Sequence, residues 1–153
     1  MYAAVLLVHS WLRWFVILFA LLAIVRAIHG AATKRPWLPA DDLAGNLFIR
    51  SLDLQILLGL LLYFVLSPIT KGALGDFTGA MQVSATRFWA VEHVFGVIVA
   101  VALAHRWHSR MRQVQDAGRR HKATILFYSL ALAAILVSIP WPGTPNARPL
   151  FRW

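Results

Sequence analysis

The stretch YAAVLLVHSWLRWFVILFALLAIVRAI, residues 2–28, decides the fold. His9, Arg13 and Arg26 are the only ionisable side chains in it apart from Tyr2. An α-helix needs about 20 predominantly apolar residues to cross roughly 30 Å of hydrocarbon. A buried helix of a soluble domain is shorter and keeps a polar face. Working outward, three further apolar stretches occupy residues 47–66, 88–104 and 123–139. The chain of 153 residues is 59% hydrophobic and 14% charged, where a soluble domain carries about a quarter charged residues. Mean hydropathy is +0.65. The expectation is an all-α integral membrane protein of four transmembrane helices.

No basic region precedes the first apolar run, which is also too long for a signal h-region, so the first helix is expected to be retained. With no cysteine, disulfides, iron–sulfur clusters and covalently attached c-type haem are excluded. Three methionines are too few for a thioether copper pathway. The net charge of +9 is concentrated beside the apolar runs. Arg26, Lys34, Arg35 and Arg50 flank the first connection, and Arg106, Arg110, Arg112, Arg119, Arg120 and Lys122 flank the third. Basic residues accumulate on the cytoplasmic side of short loops. The pattern therefore places both termini on the non-cytoplasmic side, and it reads as a topology and lipid-headgroup signal rather than a nucleic-acid site.

A single domain over residues 1–153 is predicted, an up-down bundle with helices near 2–28, 45–67, 86–111 and 120–140. Pro36 and Pro39 mark a short first loop, with Asp41 or Asp42 capping the second helix. Ser67-Pro68 ends that helix. Residues 69–85 read as an external loop, with Thr86 as N-cap of the third helix. Pro140-Trp-Pro-Gly143 stops the fourth. The seven tryptophans fall near the presumed boundaries, as an interfacial belt would.

Ionisable groups inside a bilayer are costly and by default suggest function. With the first and third helices entering from the same side, His9 and His93 lie at similar depth, roughly 10–12 Å in. Two imidazoles at one depth suit axial ligation of a b-type haem in a bundle. Gly96, one turn beyond His93, would leave room for the macrocycle. Arg13, four residues after His9, shares its face and would pair either with a haem propionate or with Glu92. Glu92, if solvated, would instead relay protons to a quinone. His105 lies twelve residues after His93, about 18 Å along the helix, and cannot serve the same haem. It either pairs with His121 in a second haem site or sits at the interface beside Arg106. Asp53 and Gln55 are placed to approach it, Asp53 bonding either Arg50 or His105. His29 and His108 read as interfacial, Gly59 as a close-packing position, and Ser129 and Ser138 as satisfied by their own backbone. No nucleophile–base set, phosphate loop or dinucleotide pattern appears.

The strings His9-Ser-Trp-Leu-Arg13-Trp, Leu54-Gln-Ile-Leu-Leu-Gly-Leu-Leu-Leu-Tyr63-Phe, Val91-Glu92-His93, Ala104-His105-Arg106 and Ile139-Pro-Trp-Pro resemble small bacterial four-helix membrane proteins labelled cytochrome b. The resemblance implies a haem-b electron-transfer protein with His9, His93, His105 and His121 as candidate ligands. The cytochrome b561 group is a more distant likeness, from which this chain departs by lacking interior histidines in helices two and four.

The functional expectation is a haem-b electron carrier of the bacterial inner membrane, multi-pass, linking a quinone pool to a redox partner. One haem is expected at His9 and His93, with room for a second. The alternative is a cofactor-free or pigment-binding accessory subunit of a respiratory or photosynthetic complex. Either way the partners are membrane lipid and other subunits, not nucleic acid. No independent catalytic activity is expected.

Overall fold

The computed structural model describes residues 1–152. Four helices are long and apolar enough to cross a membrane: α1 (Tyr2–Ala32), α2 (Pro39–Leu66), α5 (Ser84–Met111) and α6 (Ala117–Val137). Two short helices, α3 (Pro68–Gly75) and α4 (Phe77–Gln82), lie between α2 and α5. No strand occurs among the described residues. Cross-helix bonds fix the directions. Arg26 of α1 meets Asp41 of α2 while His9 meets Gln55, so these helices are antiparallel. Trp107 meets Thr124 while His93 meets Ser138, so α5 and α6 are antiparallel too. The architecture is the up-down bundle the apolar spacing predicts.

Packing is inverted relative to a soluble bundle. Small residues fill the interior: Ala20, Ala100, Ala104 and Ala131 are all 0% exposed. Large apolar side chains face outward, among them Leu57 at 63%, Phe95 at 66% and Val137 at 82%. Lipid tails are as apolar as leucine, so membrane helices associate through close packing of small residues while large ones meet lipid. Phe48, Leu52 and Tyr128 complete the core, with Phe48 edge-on to Tyr128 at 5.0 Å between centroids.

The helix ends differ from the sequence expectation. α1 runs on to Ala32, and α2 starts at Pro39 rather than near 45. Proline suits the first helical position, and Asp41 three residues after Leu38 accepts its backbone N–H at 2.9 Å. Asp41 is 4% exposed and accepts from Arg26 (2.9 Å) and from both Nη atoms of Arg35 (2.7 and 2.9 Å). That bond holds the Arg35 guanidinium above its ordinary pKa. Asp42 accepts from Trp37 Nε1 and Arg120 Nη2 (3.1 and 2.8 Å). Part of the basic charge that the sequence assigns to topology therefore ties α1, α2 and α6 together.

The connection between α2 and α5 is helical rather than a loop. Ser67 caps α3 by accepting from Thr70 N, and Asp76 caps α4 by accepting from Gly79 N. Thr86 is not a cap: it lies inside the first turn of α5 and its Oγ1 donates to the Ala80 and Val83 carbonyls. α6 begins at Ala117, capped by Asp116, and ends at Val137.

Two wide turns have no counterpart in the sequence reading. Leu62–Leu66 of α2 and Phe88–Glu92 of α5 are π-helical, a form that is rare and often found beside functional sites. The Tyr63 hydroxyl bridges them, donating to the Ala90 carbonyl at 2.7 Å.

Candidate functional site

Between α1, α2, α5 and α6, at the end where α1 begins, lies a cavity of about 300 Å³. His9 and His93 both line it, as do Arg13 and Gln55. The depth match read from sequence thus does bring the two imidazoles to one space.

His93 donates from Nδ1 to the Ser138 carbonyl at 2.7 Å. This acceptor has a chain-level cause. In a continuing helix the Ser138 carbonyl would receive the N–H of residue 142, which is proline and has none. The carbonyl left free takes the imidazole. With its proton on Nδ1, His93 keeps the Nε2 lone pair for another partner, the arrangement typical of histidines that bind metal. Pro140 likewise withholds an N–H from the Leu136 carbonyl, which accepts Trp141 Nε1 at 2.8 Å beside the Ile139 N–H at 3.3 Å.

His9 is held from α2. Gln55 Nε2 lies 3.1 Å from the His9 carbonyl and 3.2 Å from His9 Nε2. An amide nitrogen can only donate, so His9 Nε2 carries a lone pair and its proton sits on Nδ1. That Nδ1 is buried without a hydrogen-bond partner, as is Gln55 Oε1. Gly59 explains how the ring fits: a Cβ there would stand 3.2 Å from His9 Cε1. Gly59 therefore makes room for the imidazole, not for helix backbones.

Both Nε2 atoms carry lone pairs and line one cavity, which is the donor chemistry that a metal between two imidazoles would use. At about 300 Å³ the space is at the small end for ligand sites, which run from about 300 to 1,000 Å³. For His9 Nε2 to reach a metal, the Gln55 amide has to release it.

Other sequence-level expectations change. Arg13 is not neutralised by Glu92, which is exposed and paired with Arg87 at 2.7 Å. Arg13 instead donates from Nη2 to the Leu150 carbonyl at 2.7 Å, lies over Trp14, and has a buried Nε without a partner. The C-terminal tail thus folds back over α1, and Phe151 stacks on Trp14 with centroids 5.3 Å apart. Gly96 faces Ser138, not the cavity: an added Cβ would collide with the Ser138 hydroxyl. Its role is close approach of α5 to α6. Gln55 serves His9 and not His105.

His105 and His121 are not brought together. His105 Nε2 lies 2.7 Å from Asp53 Oδ1, so of the two partners open to Asp53 the imidazole is the one realised. His121 is 0% exposed and sits against Gly30 of α1 and under Trp37, with 4.9 Å between ring centroids. Neither of its ring nitrogens makes a well-formed hydrogen bond. The first turn of α6 points it toward α1, whereas His105 points toward α2. His108 is not purely interfacial either, since its Nδ1 meets the buried Tyr128 hydroxyl at 3.0 Å.

Gln55 was legible as a polar residue in an apolar run, but its partner was not. The Ser138 carbonyl had a signal in Pro142. No group of three or more metal-ligating side chains occurs among the described residues. Comparison with known families, curated proteins and solved structures finds no match.

Proposed function

We propose that this multi-pass membrane protein binds one b-type haem between His9 and His93 and carries electrons. The observation that supports the reading is the His93 tautomer: Nδ1–H is committed to Ser138 and the Nε2 lone pair is left for a ligand in the cavity it shares with His9. The haem, when bound, would supply a one-electron couple tuned by its two imidazoles and the charges around it. The Ser138 carbonyl orients one imidazole and makes it more basic. The Gly59 gap seats the other. Arg13 is available to a propionate. A quinone on one side and a redox protein on the other are the partners this reading requires. The basic end of the bundle, holding Arg26, Arg35 and Arg120, lies in the cytoplasm, which puts the haem near the opposite face of a bacterial inner membrane.

The test is a reduced-minus-oxidised optical spectrum of purified protein, wild type beside His9→Ala and His93→Ala. A b-type band present in wild type and lost in both variants is expected. Folded wild type, judged by circular dichroism, with no band after haem supplementation refutes the reading.

One observation favours a second reading, a subunit of a larger membrane complex. Asp53 lies fourteen residues past Pro39 and thirteen short of Leu66, near the middle of α2, yet its side chain is 45% exposed. Its partner His105 is 43% exposed. Ionisable groups at that depth normally face protein. A neighbouring subunit over this face would cover them, and native mass spectrometry of gently extracted protein would reveal it.

A further inference from the structure

The geometry points to an anion site at the cavity: Arg13, Arg148 and Arg152 receive the carboxylate or phosphate of an amphiphilic ligand whose apolar body lies among the helices. All three arginines line the cavity, and no acidic side chain lines it among the described residues. The two carboxylates nearest that end in sequence are committed elsewhere, Glu92 to Arg87 and Asp76 to the cap of α4. Arg13 satisfies one nitrogen on a backbone carbonyl and leaves Nε buried without a partner. Arg148 lies over the Trp89 ring at 5.4 Å, and Arg152 shares the cavity wall with Arg13. Confining like charges beside an apolar space is unfavourable unless something negative joins them. Guanidinium groups are suited to bidentate capture of carboxylate or phosphate.

The rest of the wall is mostly apolar, with Leu52, Ile56, Val97 and Ile135 alongside the polar His9, Gln55 and His93. Cations at one end and hydrocarbon at the other define an amphiphile by its shape. Two of the arginines come from the tail, which is pinned to α1 where Trp11 Nε1 donates to the Arg152 carbonyl and Arg13 to that of Leu150. The tail is therefore part of the binding wall. This inference rests on the cavity being a ligand site, as in the haem reading, but not on iron. Haem with its two carboxylates is one such ligand, and a fatty acid or a lysophospholipid with a bare phosphate is another.

The experiment is equilibrium binding to purified detergent-solubilised protein, wild type beside Arg148→Gln/Arg152→Gln. Both substitutions lie beyond the last long helix, and circular dichroism checks the fold. The probes are haemin and its dimethyl ester, a fluorescent long-chain fatty acid and its methyl ester, and lysophosphatidate as competitor. At least tenfold tighter binding of acid than ester in wild type is expected, falling toward equality in the double variant. That result with haemin upholds both readings. With fatty acid or lysophosphatidate but not haemin, the anion site stands and the haem reading falls. Acid and ester bound equally by wild type, a preference that survives in the double variant, or no binding by any probe overturns the anion site.

Discussion

Replacing Gly30 by alanine adds one methyl group where the structure has no space for it. The new Cβ would lie 2.5 Å from His121 Nε2 and 2.7 Å from Nδ1, where ordinary contact begins at 3.4 Å. The imidazole cannot simply swing away. It is 0% exposed and Trp37 covers it, with the Arg120 guanidinium 4.3 Å above the indole. Either α1 and α6 separate by roughly an ångström or the histidine leaves its rotamer. Overpacking of this kind costs about 1–3 kcal/mol. In water a helical Gly→Ala change would return about 0.5–1 kcal/mol through backbone entropy. In micelles the denatured protein keeps most of its helices, because hydrocarbon leaves unpaired backbone groups no other partner, so little of that gain survives. The expected net loss is about 1–3 kcal/mol. Reversible unfolding in mixed detergent micelles, followed by circular dichroism, measures it for wild type, Gly30→Ala, His121→Ala and the double variant. Without the imidazole the methyl group has room. The double variant should then be more stable than the sum of the single losses, with a coupling of at least about 1 kcal/mol. Gly30→Ala at wild-type stability, or strict additivity in the cycle, would refute the idea that this glycine exists to seat His121.

Three further outcomes are expected from the same bundle. Asp41→Asn should cost about 3–5 kcal/mol in the same titration, because its 2% exposed carboxylate balances Arg26 and Arg35, and removing one member of a buried ionic group leaves the others uncompensated. Asp42→Asn should cost under about 1 kcal/mol, since the Asp42 side chain is 35% exposed; equal effects at the two sites would contradict the assignment. Tyr63→Phe should leave the Ala90 carbonyl without its donor, at about 1–3 kcal/mol, and should speed amide hydrogen exchange locally across residues 88–92. Unchanged exchange there would show that the tyrosine bridge does not hold the wide turn.

The four spans could be read from the chain because hydrocarbon demands a long apolar run whatever the details of packing. Their ends were less legible, since the residues that close a helix act through local bonds. Pro39 and Asp41 carried the signal for an earlier start of α2, but the apolar run begins only near residue 47 and outweighed it. Residues 68–82 lack a long period and so read as a loop, yet Ser67 and Asp76 cap two short helices there. For the site, counting 1.5 Å per residue predicts a common depth for His9 and His93, and both line one cavity. It could not give the rotation of each helix, and that is what sends His105 to Asp53, His121 to Gly30 and Gln55 to His9. The tail was out of reach altogether: nothing in Arg148–Pro–Leu–Phe announces that it folds back 137 residues to Arg13.

The wide turn at Phe88–Glu92 separates two phases within one helix. An α-helix advances about 100° per residue, so a turn that holds one residue more resets the angular position of everything beyond it. His93 takes its heading from the α5–α6 contact below it, at Gly96 and Ser138, while Ser84–Arg87 above follows the short helices of the outer connection. The two halves need not agree. A chain one residue shorter in this turn would close it as ordinary α-helix with both flanking segments keeping their headings and the imidazole staying on its carbonyl. The wide turn therefore absorbs a one-residue difference between its two flanks, and the half that carries His93 is the part whose register is constrained.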